Sequence, residues 1–275
     1  MKRRAQPWLG TLVDITIADA LEDDALNACF NVAFARIAEI HQLMSFHDPA
    51  SDVSRINAAL PGTSIEVHLH TCEVLRTALD MKAASDGLFD IGCAGQLVEW
   101  GYLPPVHRGA ARYRSGQSVL ELEAGQRVRK TDASLIDLGG IAKGYAVDQA
   151  VAALKKAGIR SACVNAGGDL RVFGERTFPV AIRDPRSPTA LALQVQLRDE
   201  ALATSGSYFS RKQIDAREVS ALLNGRTGEP MLAAASTSVR APGCMLADAL
   251  TKVVLASGDV AHPALAQFGA TAFIL

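Results

Sequence analysis

The sequence predicts an α+β fold, with helices packed on mixed or antiparallel sheets, and three observations carry that reading. Helical and strand-like segments alternate irregularly instead of repeating as βαβ units. The second half is dominated by short strand-like runs set apart by turn residues, the spacing of hairpins. The chain has 275 residues, 49% hydrophobic and 21% charged, which is ordinary globular composition with length enough for a substantial core. No repeat, low-complexity linker or sharp change of composition divides it, so residues 1–275 read as a single domain.

Taken in order, the N-terminus begins basic, and "LVDITIA" (12–18) then alternates in the manner of a strand. "LEDDALNACFNVAFARIAEIHQLMSF" (21–46) predicts a long amphipathic helix whose acidic first turn suits a helix N-terminus. His-Asp-Pro (47–49) signals a turn, and "SDVSRIN" (51–57) a short turn-to-helix piece. "HTCEVLRTALDMKAASDG" (70–87) predicts a second helix closed by Gly87. "FDIGCAGQLVEWGY" (89–102) is too broken by glycine to start as a core helix, and "SVLELEAGQRVRKT" (118–131) reads as short strands. "SLIDLGGIAKGYAVDQAVAALKKAGI" (134–159) is a strand end, a Gly-Gly turn and a helix ending at Gly158. Strands follow at "SACVNAGGDLRVFGE" (161–175), "FPVAIRDPR" (178–186) and "ALQVQLRDEALATSGSY" (192–208). "SALLNGRTGEPM" (220–231) reads as a strand running into a turn, and "ASTSVRAPG" (235–243) as another strand. "CMLADALTKVV" (244–254) is a helix, followed by "HPALAQFG" (262–269) and a final strand, "ATAFIL" (270–275).

Charge and composition exclude several classes. The 28 basic and 29 acidic residues nearly cancel, so no long-range basic field favours nucleic acid or an anionic membrane. Aromatic residues are only 5%, too few for base-stacking surfaces. Cys29, Cys72, Cys93, Cys163 and Cys244 are scattered and odd in number, and they form no CxxC pair. They read as small buried thiols, not as a disulfide framework or a zinc site. The basic start is followed by no apolar signal core, and no run reaches the roughly 18 apolar residues of a membrane span. A soluble, cytoplasmic protein is the expectation.

Three glycine turns could carry chemistry. "IDLGGIAKGYAVD" (136–148) is neither a Walker A loop nor GxGxxG. Gly139 and Gly140 at a strand-to-helix turn would still expose backbone N–H groups, and Lys143 adds a positive charge. A structural tight turn and a phosphate site both fit. "NAGGDLRVFG" (165–174) reads as a bulge or hairpin, and "ATSGSYFSR" (203–211) as a plain turn. His68 and His70 in "HLH" could share one strand face and bind a metal, although a solvated face is the plainer reading. In "CMLADALTKVV", Leu246, Leu250, Val253 and Val254 form one apolar stripe, with Asp248, Thr251 and Lys252 on another face. Alone, that is an amphipathic helix whose Asp–Lys pair at i,i+4 contributes about 0.3–0.5 kcal/mol.

Read in sequence order, "LGTLVDITI", "LMSFHDPASDVSRIN", "GLFDIGCAGQLVEWGY", "IDLGGIAKGYAVD", "NAGGDLRVFG", "AIRDP", "LATSGSY", "NGRTGEP" and "MLADALTKVVLASG" resemble the successive signatures of the ApbE family, over about residues 8–260. These are magnesium-requiring FAD:protein FMN transferases. The resemblance implies a two-lobed α+β fold with FAD in a cleft between the lobes and magnesium on its pyrophosphate. A Thr or Ser hydroxyl of an acceptor protein attacks the FMN phosphorus and AMP leaves. Such chemistry needs charge neutralisation and positioning more than a protein nucleophile. By the same resemblance, Asp137 and Lys143 match FAD contacts, and Leu88, Phe89 and Asp90 a flavin-binding segment. His47 stands where an aromatic usually meets the isoalloxazine, Leu9 at a Met-Gly-Thr position near the flavin, and Leu222 among the FAD contacts. Gly140 and Asp248 match magnesium-ligand positions.

The chain departs from the family pattern twice. Where the family has a threonine four residues after the aspartate, Lys252 stands, with Thr251 one residue earlier. Both offsets lie on the aspartate's face of a helix, but an ammonium cannot ligate a hard cation, which takes oxygen. Either Thr251 ligates while Lys252 points elsewhere, or Lys252 replaces part of the ion's charge and contacts the pyrophosphate. Second, the family's His-x-x-Asp-Pro-x-x-Gly has Ala221, Asn224 and Gly225 at its first three named places. Ala221 cannot serve as the general base expected of that histidine, and His47 is the one substitute the sequence offers. A non-catalytic FAD-binding protein, or a magnesium-dependent FAD pyrophosphatase yielding FMN and AMP, stand as alternatives to the transferase.

Overall fold

In the computed structural model, which describes residues 1–105 and 113–275, the chain opens on a hairpin of β1 (Lys2–Trp8) and β2 (Thr11–Ile17). The helices α1 (Asp23–Met44) and α2 (Asp52–Ala58) follow, then β3 (Ser64–Glu66), α3 (Leu69–Ala84) and, behind a single 3₁₀ turn at Ile91–Cys93, α4 (Ala94–Glu99). Next come β4 (Leu120–Leu122), β5 (Arg127–Lys130), α5 (Ala142–Lys156), β6 (Ala162–Ala166), β7 (Asp169–Phe173), β8 (Phe178–Asp184), β9 (Ser187–Leu197) and β10 (Ala201–Gly206). The short β11 (Lys212–Ile214) and β12 (Arg217–Val219) precede β13 (Ser236–Ala241), α6 (Cys244–Ser257), α7 (Pro263–Gln267) and β14 (Thr271–Ile274).

Seven strands form one antiparallel sheet in the order β1-β2-β6-β7-β10-β13-β14. Alternation along the strands divides its two faces. Val13, Ile15 and Ile17 of β2, Val164 of β6, Phe173 of β7, Ala201 and Ala203 of β10 and Val239 of β13 join the large core with α1, α5 and α6. Leu170, Val172 and Leu202, on the opposite face, pack with Phe178, Ile182 and Leu197 of the β8–β9 hairpin. Asp169 opens β7 and Ser205 lies near the end of β10, and the antiparallel register brings these two to the same end of the sheet. Both belong to the face that carries the helices.

The expected α+β architecture and the hairpin-rich second half are present, with every pairing antiparallel. Four local expectations differ. The basic start is itself a strand, β1, whose Lys2 and Arg3 are exposed at the sheet edge; charge of this kind blunts an edge against further pairing. β3 also went unpredicted. His68 and His70 are on no strand: His68 caps α3 by accepting the His70 N–H at 3.2 Å, and His70 Nδ1 bonds Tyr145 OH at 2.7 Å. The segment 220–231 is a loop carrying the single bridge Leu223↔Pro230, because β12 has already ended at Val219.

Candidate functional site

A cavity of about 470 Å³ opens at the end of the sheet where Asp169 and Ser205 sit. Leu88, Phe89, Leu97, Leu222 and Leu223 give it an apolar wall. The rest of its lining is polar: the 137–140 turn, Lys143 of α5, Gly167 and Asp169 of the β6–β7 hairpin, Thr204 to Gly206 of β10, and Lys252 of α6.

The polar wall depends on how α5 meets α6. A Cβ on Gly144 would lie 2.2 Å from the Cys244 carbonyl oxygen, so the two backbones touch there and only glycine fits. Each helix then caps the other. Asp148 of α5 accepts the Cys244 and Met245 N–H groups of α6, both at 2.9 Å. Asp248 of α6 accepts the Gly144 N–H of α5 through Oδ2 at 3.1 Å. Neither helix has a cap from its own N-cap side chain, so these carboxylates satisfy donors otherwise orphaned at a helix start.

Around Asp248 two carboxylates and two ammoniums interlock. Lys143 Nζ is 2.9 Å from Asp169 Oδ2 and 3.4 Å from Asp248 Oδ2, and it also donates to the Gly139 carbonyl at 3.2 Å. Lys252 Nζ bonds Asp248 Oδ1 and, at 2.9 Å, the Asp248 backbone carbonyl. Thr251 turns its hydroxyl back onto that carbonyl at 2.6 Å and meets Ser205 Oγ at 2.7 Å. Its one hydrogen is committed to the carbonyl, so Ser205 is the donor in the second bond. Asp248 and Thr251 are both 0% exposed, whereas Lys252, at 9%, reaches the cavity wall.

The electrostatics follow from burial and these contacts. Burial works to raise Asp248, but the charges of Lys143 and Lys252 outweigh it and hold that carboxyl below its ordinary range. Asp169 is raised, first by burial and then by the Asp248 charge. Lys143 loses to burial but gains more from Asp169 and Asp248, so its pKa lies above the usual lysine value. Asp137 is raised by burial, against the Gly139 N–H it accepts at 3.0 Å and the nearby charges of Lys143 and His47.

Most of the expected residues converge. Leu88, Phe89, Asp90, Asp137, Gly140, Lys143, Leu222, Ala221 and Lys252 line the one cavity. Asp248 and Thr251 lie directly behind Lys252. Asp90 is already engaged, accepting from Lys82 Nζ at 2.7 Å and from the Gly92 N–H at 2.8 Å. His47 is exposed and stands outside the cavity lining, although its charge reaches Asp137. Leu9 is likewise outside the lining; it sits in the β1–β2 turn at φ 56, an uncommon conformation for leucine. Thr11, beside that turn, packs against Gly167, where a Cβ would come within 2.5 Å of its hydroxyl. Asp169 and Ser205 were not anticipated: each follows or sits within a glycine turn that reads, in isolation, as a plain hairpin.

The residues at Asp248 do not suit magnesium. A hard cation needs several free oxygen ligands. Here Oδ1 is taken by Lys252, Oδ2 by Gly144 and Lys143, and the Thr251 hydroxyl by its own helix and Ser205. Among the described residues no set of three or more His, Cys, Asp or Glu side chains gathers as a metal site.

Fold and site together define an antiparallel α+β protein whose cavity pairs an apolar wall with a cationic glycine turn. The ApbE family profile matches residues 9–274, and the chain belongs to that family. It is 32% identical to the FAD:protein FMN transferase of Rhodobacter capsulatus over 96% of its own length, but spans only 53% of that protein. A protein of the same name from Vibrio cholerae is 26% identical over 84% of this chain and 74% of its own. The ApbE protein of Thermotoga maritima superposes with a TM-score of 0.85 at 25% identity, covering 99% of this chain and 93% of the other. The apo flavinyl transferase ApbE of Pseudomonas stutzeri gives 0.82 at 26% identity, covering 99% and 90%.

Proposed function

We propose that this chain transfers FMN from FAD to a Ser or Thr hydroxyl of an acceptor protein and releases AMP. One observation supports the reading above the others: the cavity matches a flavin dinucleotide in its division of surface. Leu88, Phe89 and Leu222 offer an apolar wall to the ring system, and the 137–140 turn and Lys252 offer donors to the pyrophosphate, with Lys143 adding positive charge nearby. The names of the relatives point the same way.

In the reaction the acceptor oxygen attacks the phosphorus on the FMN side. The bond from that phosphorus to the bridging oxygen breaks, and AMP departs with the bridging oxygen. The chain contributes positioning and charge. Ala221 removes the side chain expected to take the hydroxyl proton. Among the described carboxylates that line the cavity, Asp90 and Asp169 are ion-paired with lysines, and Asp137 is the one without such a pair within 4.0 Å. Asp137 is raised by burial and is our assignment for the general base. No divalent ion enters a step, since the oxygens at Asp248 are taken up.

The test is to incubate the chain with FAD, with and without candidate acceptor proteins, and follow both AMP and covalent flavin. Flavin on the acceptor with AMP in step supports the transferase. FMN and AMP formed equally fast without acceptor indicate a pyrophosphatase, and bound FAD with no AMP indicates a binding protein.

A further inference from the structure

We infer that Lys252 is a built-in cation, so that this chain holds the FAD pyrophosphate without a divalent metal. The inference rests on the flavin reading above and concerns what neutralises the phosphates. Without Lys252 the cluster would hold Asp169, Asp248 and Lys143, two carboxylates against one ammonium, a net negative wall facing an anionic group. Such a wall needs an added cation. Lys252 brings the same four groups to neutrality.

The geometry places that charge on the lining of the cavity. The stem of Lys252 runs beside the glycine turn: a Cβ on Gly140 would lie 3.6 Å from Lys252 Cε and 3.5 Å from Phe89 Cε2. Its ammonium uses two hydrogens on Asp248 Oδ1 and the Asp248 carbonyl. The third has no partner among the described residues, and Lys252 lines the cavity. Lys143 differs, because three acceptors, on Asp169, Asp248 and Gly139, already surround its nitrogen. The available donor is therefore that of Lys252. A lysine binds phosphate as a compact point charge, and here the ammonium also occupies the Asp248 oxygen that a metal would need.

FAD and riboflavin titrations by flavin fluorescence, in chelator and in magnesium, test this on the full chain. Wild type should bind FAD with affinities within about twofold of each other in the two conditions. Lys252→Thr should lose about tenfold or more for FAD in chelator and recover with magnesium, while riboflavin, which has no phosphate, binds unchanged. Wild-type affinity that rises about tenfold on adding magnesium, or a folded Lys252→Thr protein that keeps its FAD affinity in chelator, overturns the inference alone. Wild type that binds no FAD in either condition removes the inference together with the flavin reading. Mn2+ resonance on the wild-type FAD complex decides the matter should Lys252→Thr fail to fold. A protein-bound ion, one per chain, contradicts the built-in cation, and its absence supports it.

Discussion

Asp137 and Asp248 are both aspartates at the same cavity, yet their surroundings drive them in opposite directions. Asp248 is held ionised by two ammoniums, so it is a structural anion. Removing its charge leaves Lys252 and Lys143 with one carboxylate between them. Asp248→Ala should cost about 3–5 kcal/mol, the usual penalty for breaking a buried ion pair from one side, read as a lowered denaturation midpoint. Asp137 is raised by burial, so the folded state holds its proton more tightly than the unfolded chain does. Its contribution to stability is full below the ordinary carboxylate range and is lost as pH rises through the raised value. Asp137→Asn should therefore melt higher than wild type at neutral pH, with the difference closing on acidification. The same substitution should slow transfer by about 10²- to 10⁴-fold and abolish the rise of rate with pH. A variant that transfers at wild-type rate removes Asp137 as the base.

At the scale of elements, the α5–α6 crossing builds the site. Gly144→Ala would force a methyl into the Cys244 carbonyl and should cost about 1–3 kcal/mol or more, as overpacking does. Because that crossing sets the Lys143–Asp248 distance, FAD affinity should fall along with stability in titration. Asp148→Ala strips α6 of its cap and leaves Arg171, 2.7 Å away, without its partner. A loss of about 1–2 kcal/mol is expected from the cap alone, measured by chemical denaturation. The two caps also show what a sequence conceals. Asp248 looks like the wet side of an amphipathic helix, and nothing local marks Asp148 as a cap. Each is in fact turned toward the other helix's N-terminus, a relation between segments far apart in the chain that no local periodicity encodes.

For the molecule as a whole, legibility follows the range of the interactions. The glycine turns at 139–140 and 167–168, the long helices and the hairpins of the second half were readable because turn chemistry and side-chain period are local. The order of those segments carried the family, and with it Leu88, Phe89, Lys143 and Leu222. β1 is hard to read because its charged start, Lys2 and Arg3, is exposed at the sheet edge and shows no apolar alternation. Asp169 escaped because its meaning depends on Lys143, across a hairpin and on another element. What bears on the choice at Lys252 lies between distant segments: Thr251 bonds within its own helix and to Ser205, and Lys252 lines the cavity. Among the described residues no helix is long and apolar enough to cross a bilayer.

Flavin transfer is read from the intact mass of an acceptor protein after incubation with this chain and FAD in chelator. The expected product is an acceptor heavier by one FMN less one water, bound through phosphate to Ser or Thr, with one AMP released for each. An acceptor of unchanged mass, under conditions where the chain demonstrably binds FAD and the acceptor is modified by a related transferase, would contradict it.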